Sequence, residues 1–215
     1  RTRNVGSNFI INPVKSILFY VENFLPVDRE TTIRAKETNI ETVHIALPGM
    51  PGSETGCDHR LSGPAFAVLH NRFRHFHQVK RKYRKKVRNL LISLEEAVEY
   101  RELRKIIDFL SRYRFNLKIV PAYWFKKSHK KILKRIYPGI HFSGQIDSLA
   151  RPFFEADAVL INPGTAAYEA AAVGTPALNL CRGKDRESAA KSFVDQQIGV
   201  EISKIEDIPE QIARL

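Results

Sequence analysis

Beyond Val87, short continuous apolar runs alternate with segments whose apolar residues recur at helical spacing. Residues 87–93 read as a buried strand, and 94–112 follow as a helix with Leu103, Ile106, Ile107 and Leu110 on one face. The next strand, 117–120, is stopped by Pro121. A lysine-rich helix over 126–135 is turned by Pro138 and Gly139 into a short strand, 140–142. Asp147 is placed as the N-cap of a helix running to Phe154, before a fourth strand at 158–161. A helix over 165–173 closes on Gly174 at its C′ position, ahead of a fifth strand at 176–180. Helix 188–197, strand 199–202 and helix 208–215 complete the pattern. Strand and helix alternating in this way predict an α/β fold, a Rossmann-like parallel six-stranded sheet with right-handed crossovers and strand order 3-2-1-4-5-6.

The first 86 residues carry a different texture. Residues 8–12 and 42–47 have strand character, 17–24 form an apolar element of undecided type, and 48–57 are a Gly-, Pro- and Ser-rich loop. No complete βαβ pattern is visible. We expect residues 1–86 to be a partial amino-terminal lobe with an inter-domain connector, and 87–215 to be a nucleotide-binding domain. Beginning at Arg1, the chain reads as a piece of something longer.

Composition narrows the class. At 215 residues, 43% apolar and 10% aromatic, the chain can bury a core and is not a disordered polymer. No apolar run approaches the roughly 18 residues a membrane helix requires. Two cysteines, Cys57 and Cys181, make neither a disulfide framework nor a zinc site, so a reducing cytoplasm is expected, with no metal and no resident cofactor. Cys181, beside Arg182 and Lys184, reads as a small buried or rim residue rather than a nucleophile. The net charge of +12 is concentrated in residues 70–88, interleaved with Phe73, Phe76 and Tyr83, and in 126–135. Both runs fit an anionic partner or a solvated face. No base-reading motif accompanies them, so nucleic acid is not expected, whereas a peripheral membrane contact stays open. His59, His70, His75 and His77 cluster in the connector without a third metal ligand at a recognisable spacing, and His141 stands near the carboxyl edge of the sheet, where it could meet a base.

The most informative stretch is residues 155–180, EADAVLINPGTAAYEAAAVGTPALNL. A buried strand ends at Asn162-Pro163-Gly164 and a small-residue helix begins at once. Free N–H groups and the positive end of a helix dipole then face the carboxyl edge of a parallel sheet, where phosphate oxygens bind well. Glu169 lies one turn into this helix, within reach of a ribose whose phosphates sit at the N-terminus. The residues alone leave a second reading open, in which the alanines permit close helix–sheet packing and Glu169 is merely solvated.

This stretch, with its Gly-Thr-x-x-Tyr-Glu-Ala and x-x-Gly-x-Pro-Ala motifs, resembles the carboxyl-terminal domain of GT-B-fold enzymes that use UDP-sugars. It looks most like the UDP-sugar hydrolases of pseudaminic acid biosynthesis, with the MurG-like GlcNAc transferases more distant. SGPAFAVLHNRF, residues 62–73, is similar to the inter-domain connection of the nearer family, and GKDRESAAKSFVDQQIGVEI, residues 183–202, to its last loop, helix and strand. The resemblance implies that Gly164, Thr165 and Ala166 face a diphosphate, that Glu169 holds the uridine ribose, and that Ser93, Asp185 and Arg186 border the ligand. It departs in two places. Asp185-Arg186 stand where the family has Asn-Gln, and Leu94-Glu95-Glu96 replace a Gly-Gly turn whose backbone approaches phosphate. The two glutamates could repel a diphosphate or simply stabilise the start of their helix. The family's amino-terminal Gly-x-Gly-His segment has no counterpart.

The expected function is therefore binding of UDP or a UDP-sugar, as part of a hydrolase or glycosyltransferase of surface polysaccharide biosynthesis. The catalytic lobe is incomplete, no catalytic base is assigned, and a missing amino-terminal lobe or partner chain would complete it. The location implied is cytoplasmic or membrane-peripheral. The alternative is a non-catalytic GT-B-like module whose basic faces bind a protein, RNA or membrane.

Overall fold

The computed structural model describes residues 9–12, 15–21, 33–35, 37–38, 40–46, 56–94, 98–122, 125–143, 146–181 and 184–215, by backbone alone for 9–12, 15–21 and 184–189. The chain divides into two units, Arg1–Val68 and Leu69–Leu215.

In the first unit, strands β1 (Phe9–Asn12), β2 (Lys15–Val21), β3 (Glu41–Ala46) and β4 (His59–Ser62) form one sheet in sequential order. β1 runs antiparallel to β2, and the remaining pairs are parallel. Thr42 and Asp58 fix where β4 joins. The Thr42 N–H and hydroxyl both donate to the Asp58 carboxylate, at 2.8 and 2.7 Å, and the Asp58 N–H donates back to the Thr42 hydroxyl at 2.9 Å. Thr42 is fully buried, so these bonds satisfy polar groups that would otherwise be stranded.

The second unit runs from Leu69 to Leu215. Its elements are α1 (Arg72–His77), β5 (Asn89–Ser93), α2 (Tyr100–Leu110), β6 (Asn116–Ile119), α3 (Lys127–Ile136), β7 (His141–Phe142), α4 (Ala150–Glu155), β8 (Ala158–Ile161), α5 (Thr165–Ala172), β9 (Ala177–Leu180), α6 (Lys184–Asp195), β10 (Val200–Ile202) and α7 (Ile208–Ala213). The six strands are all parallel and lie in the order β10-β9-β8-β5-β6-β7. Numbered from β5, this is the expected 3-2-1-4-5-6 arrangement.

β8 is buried at every position, as a strand covered on both faces must be. On one face Leu90, Ile92, Leu117, Ile119, Leu160 and Leu178 pack with Leu103, Ile106 and Leu110 of α2, Leu133 of α3 and Ile208 and Ile212 of α7. The period of two sends Leu91, Ser93, Val159 and Ile161 to the opposite face, where α4 meets β5 and α5 meets β8 and β9.

The basic run of residues 70–88 is stitched into this second face. Phe73 is buried edge-on against Phe153, with ring centroids 6.5 Å apart. His77 Nδ1 lies 2.8 Å from the Ala172 carbonyl, which can only accept, so that nitrogen carries the proton. The Arg81 guanidinium donates to the Ala156 and Val173 carbonyls and to the Thr175 hydroxyl, and rests against the rings of Tyr83 and Phe154. Burial pushes its pKa down, without threatening its charge at neutral pH. Arg84 pairs with Asp157 at 2.6 Å, and the Arg88 and Asn89 N–H groups donate to the same carboxylate at 3.0 and 2.8 Å.

Two local expectations need correction. Asp147 is not an N-cap, because α4 begins at Ala150 behind Leu149 and the Asp147 carboxylate instead accepts from Arg72 at 3.4 Å. Helix α6 starts at Lys184, four residues before the expected position, so Asp185 and Arg186 belong to its first turn and not to a loop.

Candidate functional site

A parallel sheet whose strand order reverses leaves a crevice at the carboxyl ends of the two strands flanking the reversal. Here these strands are β5 and β8, hydrogen-bonded neighbours whose following helices, α2 and α5, go to opposite faces. β5 ends at Ser93 and β8 at Ile161, followed by Asn162, Pro163 and Gly164; Ser93 and Asn162 are both buried polar residues.

Gly164 is the N-cap of α5 in extended backbone conformation, and no side chain caps the helix. The first-turn N–H groups of Thr165 and Ala166 have no carbonyl within the helix to reach, while that of Ala167 already bonds the Gly164 carbonyl at 3.0 Å. An anion at this end would meet both donors and the positive end of the helix dipole. Downstream, Ala167 and Ala170 are fully buried, which lets α5 lie close on the sheet. Tyr168, 4% exposed, packs edge-on against Phe193 of α6 at 5.1 Å, and desolvation pushes its pKa up to about 12, so the phenol stays neutral. The opposite end is set by Gly174 at φ 67°: its N–H bonds Ala171 and that of Thr175 bonds Ala170, the paired bonds of a Schellman motif. A helix held so firmly at its side and its end presents its N-terminus in a fixed direction.

A cleft of about 470 Å³ opens at the crevice. Among the described residues it is lined by Ser93 at the end of β5 and Leu94 after it, Val120 to Ala122 after β6, Ile146 to Leu149 before α4, His70 ahead of α1, and Glu169. Ser93 and Glu169, far apart in sequence, thus share one cavity. Gly164, Thr165 and Ala166 stand one turn before Glu169 at the head of α5 and do not line the cleft itself. Asp185 and Arg186 lie on the backbone of α6, with their side chains outside the described residues, as are Glu95 and Glu96 altogether. The sequence reading gave His70 to a histidine cluster and Asp147 to a helix cap and passed over Ser148; none belongs to a ligand motif, and the crossover into α4 brings the last two into place.

A larger groove of about 1000 Å³ runs along the second face of β5, β6 and β7 beside α4, and contains His141, Lys118, Arg151 and Glu155. It shares Ile146, Asp147 and Ser148 with the smaller cleft but follows the strands instead of capping their ends. Its charges are largely paired internally, Glu155 with Arg151 at 2.7 Å and with Lys118 at 3.8 Å. His141 therefore faces this groove and not the crevice.

The connector histidines do not converge. His59 bonds Glu41 at 2.5 Å, His75 packs on Phe76, and no group of three His, Cys, Asp or Glu suited to a metal ion occurs among the described residues. Cys181 is buried, its thiol 3.4 Å from the Asn179 carbonyl. Among the described residues no helix is long and apolar enough to cross a membrane.

No protein-family profile and no curated protein matches the chain. Solved structures do. The glycotransferase of kitacinnamycin aligns over 93% of this chain and 67% of its own, at 13% identity and a TM-score of 0.58. The spinosyn rhamnosyltransferase SpnG aligns over 86% of this chain and 60% of its own, at 12% identity and a TM-score of 0.61. The UDP-GlcNAc 2-epimerase from Methanocaldococcus jannaschii aligns over 91% of this chain and 68% of its own, at 12% identity and a TM-score of 0.53. The chain thus spans about two thirds or less of these proteins. At such identities the likeness establishes the fold, which is of the GT-B type, and the six-stranded sheet is its Rossmann-like element.

Proposed function

We propose that this chain binds a sugar nucleotide, with UDP or a UDP-sugar as the first choice, at the crevice between β5 and β8. The observation that carries the reading is the meeting of Ser93 and Glu169 in one cleft beside the uncapped N-terminus of α5. The Thr165 and Ala166 N–H groups would donate to the diphosphate, with Gly164 offering no side chain in the way. Glu169 would accept from the two ribose hydroxyls, and Ser93 would border the phosphates from the neighbouring strand. Asp185 and Arg186, in the first turn of α6, are assigned the sugar side on the resemblance alone. Structural neighbours give the reading its chemistry: SpnG was solved with thymidine diphosphate, and the Methanocaldococcus epimerase with UDP-GlcNAc and UDP.

The finer assignment, a UDP-sugar hydrolase or glycosyltransferase of surface glycan biosynthesis acting at the cytoplasmic side, follows from the sequence resemblance. In either reaction the bond between the anomeric carbon and the β-phosphate oxygen breaks. The electron pair leaves with UDP, and the attacking water or sugar hydroxyl gives up its proton. Nothing in the cleft is assigned as the base that takes that proton. The test is calorimetric titration of UDP, UDP-GlcNAc and thymidine diphosphate into the protein and into Glu169→Ala. Loss of two charge-assisted hydrogen bonds, at about 1.5–3 kcal/mol each, predicts at least about 100-fold weaker binding by the variant. Absence of heat with every nucleotide at millimolar concentration would remove the proposal.

A further inference from the structure

The lysine-rich helix α3 takes no part in the crevice. Between Phe125 and Asp147 the sequence holds no carboxylate. At 100° per residue, Lys127, Lys131, Lys134 and Arg135 fall on one stripe of α3, and all four are exposed. None of them makes an ion pair with a described carboxylate, whereas in the connector Arg81 is engaged by carbonyls and Arg84 by Asp157. Leu133 anchors the helix to the core on the far side, and the ring of His129 is stacked on Tyr100 of α2 at 4.1 Å. At the other end Tyr137 donates to Asp108 of α2 at 2.9 Å, so the two helices run side by side. Flanking the basic stripe, one turn apart, Ile132 and Ile136 remain 39% and 41% exposed. On α2, Arg104 and Lys105 are exposed as well.

From this arrangement we infer that the outer face of α3 docks on an anionic phospholipid surface. A row of unpaired cations supplies charge complementarity to lipid phosphates and carboxylates, and two aliphatic side chains at its margin can enter the interfacial layer. The same face fits single-stranded nucleic acid less well. Its exposed apolar groups are branched aliphatics, and base recognition of that kind uses aromatic rings for stacking.

The test is co-sedimentation of the 215-residue chain with vesicles of phosphatidylcholine alone and of phosphatidylcholine mixed with phosphatidylserine, at low and high salt. The chain should bind only the mixed vesicles and release as salt rises. Lys127→Gln/Lys131→Gln/Lys134→Gln should bind about a hundredfold more weakly, from about fivefold per charge. Ile132→Ser/Ile136→Ser should also weaken binding. A matched connector triple, Lys82→Gln/Lys85→Gln/Lys86→Gln, should bind like the parent, separating a docking face from the effect of net charge. The inference is overturned if the chain ignores phosphatidylserine, if the two lysine triples lose binding equally, or if the α3 triple loses affinity for a homopolymeric RNA while vesicle binding is unchanged. All substituted side chains are exposed, and a thermal melt of each variant confirms that it is folded.

Discussion

Replacing Arg81 by methionine keeps the aliphatic stem and removes the guanidinium, and the consequences can be worked out atom by atom. Three acceptors lose their donor: the carbonyls of Ala156 and Val173 and the hydroxyl of Thr175. Thr175 still donates to the Phe153 carbonyl at 2.8 Å, and the Val173 carbonyl, at the C-terminus of α5, loses a cation that opposed the negative end of the helix dipole. Hydrogen bonds to a charged group contribute about 1.5–3 kcal/mol each when buried. Arg81 is only half-buried, so water replaces part of the loss, and we expect a total of about 2–4 kcal/mol. With a urea slope of about 2–3 kcal/mol per molar, the unfolding midpoint should fall by about 1 M. Trp124, the one tryptophan of the chain, provides the fluorescence signal. Combining the change with Thr175→Val should give a coupling of about 1–3 kcal/mol in a double-mutant cycle. By contrast Lys82→Met, two side chains in contact with nothing specific being compared, should stay within about 0.5 kcal/mol of the parent. If Arg81→Met were equally silent, the connector would not be part of the second unit's fold, and its cations would have to be explained by a partner.

Other changes address different parts of the fold. Gly199→Ala should cost about 2 kcal/mol or more in a thermal melt, because φ is 85° there and an added Cβ would stand 2.5 Å from the Ala177 carbonyl oxygen. Gln197 is the one non-glycine residue with positive φ among the described residues, at 59°, and Gln197→Gly should raise stability by about 0.5–1 kcal/mol. Burial alone would raise the pKa of Asp157, but the Asn89 and Arg88 N–H groups and Arg84 together hold it below its ordinary value. A depressed carboxyl pKa contributes stability above the unfolded value of about 3.9 that disappears as pH falls through the folded one. Asp157→Asn should therefore lower stability at neutral pH and flatten the acid limb of a pH–stability curve.

The second unit was legible because its strands are buried on both faces. Ala158, Val159, Leu160 and Ile161 form a run with no polar interruption, and Gly174 marks a helix end that only a left-handed residue closes well. The first unit lacked such signals. β4, His-Arg-Leu-Ser, is mostly exposed, and its place depends on the Thr42–Asp58 bonds, a pairing across sixteen residues that no local pattern announces. One cation of the connector has a role that no local pattern announces: most of the run is exposed, but the carbonyls at the ends of α4 and α5 face Arg81. Asp147 had the composition of an N-cap, but the helix starts later, behind Leu149, and the Asp147 carboxylate lies 3.4 Å from Arg72. Glu169 was placed correctly relative to the head of α5 by helical spacing alone. Its neighbours in the cleft, His70 and Ser148, come from connections whose course the sequence does not dictate.

The most direct measurement is a crystal structure of the chain grown with UDP. The account predicts diphosphate oxygens about 2.7–3.2 Å from the Thr165 and Ala166 nitrogens and the ribose hydroxyls against Glu169. UDP bound instead in the wide groove between Lys118 and Arg151, with the head of α5 untouched, would contradict it.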